Sequence, residues 1–536
     1  MKLLDFFNRE SEVPKKQMIF TALISGLANG YLLIIINNAS EMVGKSADSQ
    51  AQNFFLFLLD LILLTYTKQY ALKQATIAAE DAIYQVRTRI TNKLRHTELA
   101  YIETAGHAAI YTRITQDTSL ISESAIMLIN ACQQIIVVFM CLLYIAWLSM
   151  PGFILTIGIL STAILMYFYN SAYISTKLHE ASVKEASFFN GIKSILLGFK
   201  EIKINRKKNE ALFSHIKTIS SEVKDIKVSA GLHFVMDLMF AQTSFFILCA
   251  GVIFVLPAIS AINVGQVVGI TIAILFLFAP LGIVINAFPM FVRANVAVEN
   301  IYQLEHEIDA VSKKDMNIET HAPIFETIEF EQVNFHYPQQ NGSSIFGVSS
   351  LNFNINKGEI VFIVGGNGSG KSTMLKLLTG LYYPSSGNIY VNGKPLDTND
   401  YVHFRELYTI IFTDFHLFDH LYGVDNIDYS RVDALLKTMA LEKKTTFKED
   451  SFSNTDLSTG QKKRLAYIAS VLEDKQIFIF DEWAADQDPE FRKYFYEVLL
   501  KELKAKGKTV IAVSHDDRYF SVADKVLKME CGRIIN

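Results

Sequence analysis

A bundle of six membrane-spanning helices followed by an α/β P-loop domain is the fold class this sequence predicts, and three observations predict it. Two long stretches, Ser124–Thr176 and Leu238–Val292, contain no Asp, Glu, Lys or Arg. Each is too long for one membrane span of about 20 residues and right for two. The line IVFIVGGNGSGKSTMLKLLTGL, Ile360–Leu381, joins a buried strand, a glycine loop and an amphipathic helix. Half of the 536 residues are apolar, and the mean hydropathy of +0.24 is high for a chain wholly in water.

Taken in order, MKLLDFFNRESEVPKK places acids and a proline before the first apolar run, and no A-x-A-like cleavage site follows it, so a retained first span is expected. Spans are expected near 17–40, 54–72, 125–149, 153–172, 236–255 and 265–286. Pro151-Gly152 divides the first long run, and Leu256–Asn263 divides the second. Seven Lys or Arg lie between Lys68 and Arg113 and eleven between Lys177 and Lys227, whereas the other connections hold only Lys45. Those two basic connections and both termini therefore face the cytoplasm. Their tips, 101–106 and 188–199, are apolar enough to need a docking partner. Asp60, within FFLFLLDLILL, is read as the acid set inside a span; a mid-membrane carboxylate is costly and belongs in the bundle interior. A substrate or proton role and a structural hydrogen bond both fit it. Asn29, Asn37, Gln133, Gln134, Tyr144 and Asn286 are candidates for the same cavity. The membrane domain is expected over 1–304, a charged linker over 305–325, and the α/β domain over 326–536.

In that second domain Gly365, Gly370, Lys371 and Ser372 fit G-x-x-x-x-G-K-[ST]. Gly366, Gly368 and Gly370, with Asn367 and Ser369 between them, let successive N–H groups turn inward toward an anion. Lys371 is expected on the β- and γ-phosphates and Ser372 on Mg²⁺. Tyr337, about 28 residues upstream, can stack on an adenine ring. Leu457-Ser458-Thr459-Gly460-Gln461 opens a basic helix whose N-terminus can take a phosphate. The run IFIFDE ends in Asp481, expected on the metal, and Glu482, expected as general base. TVIAVS is a further buried strand, and His515 at its end can reach the γ-phosphate. A net charge of −4 gives no reason to expect nucleic acid, and the four scattered cysteines carry neither metal nor disulfide spacing.

With these motifs in this order, the chain resembles an ABC transporter half of the exporter type over its whole length. The resemblance implies ATP and Mg²⁺ as cofactors, and two chains paired head to tail as a homodimer. Each ATP would then lie between one chain's loop, through Thr373, and the other's Ser458, Thr459, Gly460 and Gln461, with Asp488 also at the nucleotide. The wording Asp481-Glu-Trp-Ala-Ala-Asp-Gln-Asp-Pro-Glu490, with GGNGSGKST and LSTGQKKRLA, is similar to the bacterial cyclic-peptide exporters, those of siderophore peptides, lipopeptides and microcin-type lasso peptides. It implies a constrained peptide cargo crossing the bacterial cytoplasmic membrane, with membrane lipid as surroundings; a multidrug or lipid exporter is the alternative. Two departures stand out. Thr413 occupies the position where most members carry the glutamine linking Mg²⁺ to the membrane helices, and Trp483-Ala484-Ala485 replaces a small-residue segment. Asp414 is expected to substitute for that glutamine at the metal and to bridge it to the hairpin tips.

Overall fold

The computed structural model describes residues 2–11, 13–41, 47–260, 262–311, 324–337 and 347–535. It divides into two compact units, Met1–Ile90 with Ile110–Leu304, and Thr91–Ala109 with Glu305–Asn536.

The first unit is helical: α1 (Lys2–Glu10), α2 (Lys15–Glu41), α3 (Ala47–Leu94), then, past α4 (Leu99–Ala105) of the other unit, α5 (His107–Thr112), α6 (Thr118–Leu148), α7 (Met150–Leu197), α8 (Phe199–Ile204), α9 (Arg206–Ala250), α10 (Leu256–Ile259) and α11 (Val264–Val311). Six helical stretches are long and apolar enough to cross a membrane: Lys16–Ser40, Gln50–Leu94, Ile110–Leu148, Met150–Ile174, Arg206–Ile259 and Val264–Val311. These are the six expected spans, several of them prolonged. At 1.5 Å per residue, a helix as long as α3 extends about 72 Å, over twice the hydrocarbon thickness.

The stripe Phe55, Leu59, Ile62 and Tyr66 on α3 is exposed, between 65% and 70% each, while Asp60 on the opposite side is buried. An apolar outside with a polar inside is what lipid as solvent dictates. Where α2 crosses α6 there is no room for side chains: a Cβ on Gly30 would stand 2.7 Å from Met140 Cβ. The break after α6 falls one or two residues before the expected dipeptide. Ser149 is extended, and its Oγ accepts from Gly152 N–H at 3.3 Å, so Pro151 sits in the first turn of α7 where its missing donor costs nothing. The second break comes at Ser260, extended after α10.

Two expectations need correction. Residues 188–197 belong to the body of α7, and the short helix at the second tip is α8, half of whose residues are charged. Of the expected linker, 305–311 is the end of α11; 312–323 lie outside the described residues.

The second unit holds two sheets. Strands β1 (Thr327–His336), β2 (Gly347–Asn356), β3 (Ile360–Gly365), β4 (Ser386–Val391), β5 (Lys394–Pro395) and β6 (Tyr408–Ile411) are followed by the small pair β7 (Phe447–Lys448) and β8 (Ser451–Phe452), then β9 (Ile477–Asp481), β10 (Thr509–Val513), β11 (Lys525–Glu530) and β12 (Arg533–Ile535). An antiparallel sheet runs β2-β1-β4-β5; the larger sheet runs β12-β11-β3-β10-β9-β6, parallel except for β12. The runs VFIV, IFIF and VIAV are buried on both faces, as central parallel strands must be. Helix α12 (Lys371–Leu378) follows β3 directly, so β3, β9 and β10 bring their carboxyl ends to one edge, where ligands of such sheets bind.

Candidate active site

The phosphate loop has the backbone its glycines permit. Gly365 and Gly370 lie at φ +155° and +103°, and a Cβ on Gly365 would sit 2.3 Å from Met529 O. Lys371 is buried, and its Nζ donates to Gly365 O and Gly366 O at 3.0 Å each. Ser369 Oγ is buried and has no partner among the described residues, an acceptor and donor left for a ligand at the loop. Ser372 is exposed in the first turn of α12 and Thr373 is buried. Tyr337 stands beside the loop, its hydroxyl 3.1 Å from Thr373 Oγ1.

Asp481 ends β9 with 4% of its surface exposed. Burial pushes its carboxyl above the usual range and Glu482 adds to this, while the Thr413 hydroxyl and N–H and the Lys371 ammonium pull it down. Glu482 turns out of the strand in a left-handed conformation, φ 50° and ψ 34°, and its Oε1 lies 3.0 Å from His515 Nε2. The predicted base and the strand-end histidine are thus brought together. Among the described residues no group of three or more His, Cys, Asp or Glu forms a cage for a metal. Buried Asp481 and exposed Ser372 suit Mg²⁺, a hard cation usually held by one or two protein oxygens together with substrate phosphates.

Ser458 caps α13 (Thr459–Glu473): its Oγ accepts from Gln461 N–H, and Gln461 Oε1 accepts from Ser458 N–H. Ser458 and Thr459 face solvent. Gly460 is packed so closely that a Cβ would stand 2.6 Å from Asp486 O. Among the described residues these four make no hydrogen bond to the loop of their own chain, so the structure does not unite the two halves of the expected nucleotide site within one chain. Asp488 caps α14 (Pro489–Tyr494) by accepting from Phe491 N–H at 2.8 Å and pairs with Arg464 at 2.7 Å. The Phe491 N–H, with Arg464 behind it, holds its carboxyl below the usual range against a small desolvation.

Asp414, expected at the metal, lies in a turn after β6. Among the described residues it is exposed and without hydrogen bond or ion pair. Thr413, in the same turn, is the one beside Asp481, its Oγ1 3.4 Å from Asp481 O. Trp483 explains the second departure: it is buried, its Nε1 donates to Lys463 O at 2.8 Å, and it stacks on Phe495 at 4.5 Å. Sequence reasoning missed Lys463, 1% exposed, whose Nζ donates to Glu482 O at 2.7 Å and pairs with Asp486 at 2.7 Å. It also missed Asp237 in the first unit, buried like Asp60 and accepting from Asn170 Nδ2, although the expected span 236–255 contains it.

The family model for ABC transporters matches residues 348–485. The energy-coupling factor transporter ATP-binding protein EcfA1 of Mycoplasma genitalium is 39% identical over 202 residues, 35% of this chain and 72% of that protein. The chain belongs to the ABC transporter family. The ATP-binding protein SyrD of Pseudomonas syringae pv. syringae is 29% identical over 535 residues, 97% of this chain and 94% of that one. A solved bacterial Atm1-family ABC exporter with ATP bound superposes with a TM-score of 0.76, at 18% identity, covering 98% of this chain and 95% of that chain. This ABC transporter is therefore a multi-pass membrane protein of exporter fold whose second unit binds and hydrolyses ATP.

Proposed function

We propose that this transporter moves a cyclic or otherwise constrained peptide, or a peptide-derived metabolite of siderophore-precursor, lipopeptide or microcin type, outward across the bacterial cytoplasmic membrane. Two chains act as a homodimer with both termini and the ATPase units in the cytoplasm. The observation that carries the cargo class is the wording of the ATPase motifs, DEWAADQDPE with LSTGQKKRLA, in a chain related to SyrD along nearly its whole length.

The site residues support the chemistry. Lys371 neutralises phosphate charge once its bonds to the loop carbonyls are exchanged for phosphate oxygens. Glu482, directly after a rigid strand, takes the proton of the attacking water, and His515 fixes the carboxylate that does so. Ser372, and Asp481 through water, would hold Mg²⁺, which when bound offsets charge on the phosphates. Ser458 and Gly460 of a second chain complete the nucleotide site, so ATP draws the ATPase units of the two chains together and hydrolysis releases them. In proteoliposomes, cyclic peptides are expected to stimulate ATPase activity and to accumulate on the far side. Stimulation by general amphiphiles or lipids, with none by cyclic peptides, would replace this reading with the multidrug or lipid exporter.

A further inference from the structure

Helix α4 packs within the ATPase unit, and two acids fasten it. Glu98 Oε1 accepts from the Tyr383 hydroxyl at 2.8 Å, and that phenol also accepts from Arg405 at 2.8 Å. Glu103 Oε1 pairs with Lys376 Nζ at 2.7 Å, and Glu103 Oε2 accepts from the Tyr382 hydroxyl. On the far side of α4, Tyr101 donates to Glu307 at 3.0 Å.

The Glu103 contact does not end at Tyr382. Tyr382 is only 2% exposed, stacks on Phe335 at 4.6 Å, and meets Tyr337 edge to face at 5.7 Å. Its hydroxyl is hydrogen-bonded to that of Tyr337, and Tyr337 is bonded in turn to Thr373 at 3.1 Å. Donor bookkeeping fixes the polarity. A carboxylate only accepts, so Tyr382 gives its proton to Glu103; Tyr337 then gives its own to Tyr382, and Thr373 gives to Tyr337. Four groups on four separate segments thus form one directed chain from α4 to the first turn after the phosphate loop. Bonds in such a chain polarise one another, and its partly buried course raises the cost of leaving any member unpaired.

We propose that the chain Thr373–Tyr337–Tyr382–Glu103 couples the seating of α4 to the orientation of Tyr337, making Glu103 and Tyr382 positioning residues for the adenine of ATP. The inference rests on reading Tyr337 as the adenine-facing ring. A Tyr337 ring held by its hydroxyl presents its face in one orientation; with the chain cut, it turns about χ1 and χ2 and the stack weakens. By reciprocity, ATP seated on that ring steadies α4. This line of communication runs through the adenine end of the site and is separate from the metal end at Thr413 and Asp481.

The test uses full-length protein in nanodiscs, with Glu482→Gln throughout so that ATP is not consumed. The dissociation constant for ATP is measured for Glu103→Gln, Tyr382→Phe, Tyr337→Phe and the Glu103→Gln/Tyr337→Phe pair, with Tyr337→Ala as the stacking control. Each conservative single variant is expected to weaken ATP by about five-fold. The pair should be no weaker than either single, because both cut the same chain. Amide exchange over 99–105 should slow on adding ATP in the parent and stay unchanged in Tyr337→Phe. If Tyr337→Ala weakens ATP while Glu103→Gln and Tyr337→Phe bind as the parent does, the relay is overturned and the adenine contact stands. Additive losses in the pair also overturn it, since they mark two independent effects. If Tyr337→Ala binds ATP normally, the reading of Tyr337 falls and takes the relay with it.

Discussion

Lys463→Met tests how Glu482, the proposed general base, is held. The substitution keeps an apolar stem of similar length and removes the ammonium that bonds Glu482 O and Asp486, both at 2.7 Å. A hydrogen bond involving a charged group is worth about 1.5–3 kcal/mol. Asp486, 44% exposed, regains water when the partner goes, so the net loss is set mainly by the buried carbonyl and comes to about 2–3 kcal/mol. In a domain of this size that lowers Tm by about 4–12 °C. The kinetic effect has a separate origin. Glu482 occupies a left-handed backbone region that costs a non-glycine residue about 1–2 kcal/mol, and the Lys463 ammonium is what grips its carbonyl. Released, the carboxylate drifts from the water it must deprotonate, and a misplacement of about 1 Å costs on the order of 10²-fold. ATPase assays at 20 °C, below the lowered Tm, are expected to show kcat down 10- to 100-fold with KM for ATP unchanged, since Lys463 lies outside the phosphate loop. A lowered Tm with unchanged kcat would refute the reasoning and leave Lys463 as a core strut.

Glu482→Gln should keep ATP binding and lose turnover by on the order of 10²–10⁴-fold; near-normal activity would place the base elsewhere. Mixing Lys371→Ala chains with Gly460→Ala chains should leave one intact site per mixed dimer, read as residual ATPase absent from either variant alone. Gly460→Ala suffices because even a methyl presses on Asp486 O. Thr413→Val, which removes the hydroxyl beside Asp481 while keeping shape, should slow hydrolysis, whereas Asp414→Ala should leave it unchanged; the reverse ranking would restore Asp414 to the metal. Glu103 supplies a pH dependence. Desolvation raises its pKa, but hydrogen bonds from Lys376 and Tyr382 outweigh this and hold it below the usual range. A depressed carboxylate stabilises the docked state above its ordinary pKa, and that contribution is lost as pH falls through the lower, docked value. Amide protection over 99–105 should therefore persist from neutral pH to about pH 5 and fall away below about pH 4. Glu103→Gln should abolish that dependence, and an unchanged profile in that variant would assign it to another group.

What the sequence made legible follows from how locally each feature is determined. The spans were readable because a charge is excluded from lipid wherever it occurs, and β3, β9 and β10 because strands buried on both faces leave unbroken apolar runs. The loop was readable because its backbone demands glycine at fixed spacings. Lys463 was not: in QKKRLAYIASVL it is one of three adjacent basic residues, and only the tertiary placement of Glu482 O and Asp486 buries it. That Thr413 and not Asp414 meets Asp481 depends on the turn after β6, whose conformation no local pattern announces. The first tip was legible as needing a partner from its apolar character, but nothing local could name Tyr382, Tyr383 and Lys376 as that partner. Asp237 was overlooked because it stands at the very edge of the uncharged run that follows it.

The ATPase unit is discontinuous in the chain: Thr91–Ala109 belongs with Glu305–Asn536, and Leu99 and Ala100 pack against its aromatic core. A soluble fragment cut after residue 304 therefore lacks a piece of its own architecture. It would leave the Tyr382–Tyr383 face bare and the Lys376 ammonium without its carboxylate. Ribosomal order has the same implication, since α4 is synthesised more than 270 residues before its seat exists. A truncation meant to yield an autonomous, crystallisable ATPase should graft residues 91–109 back on through a linker, and the bare fragment is expected to self-associate through that tyrosine face.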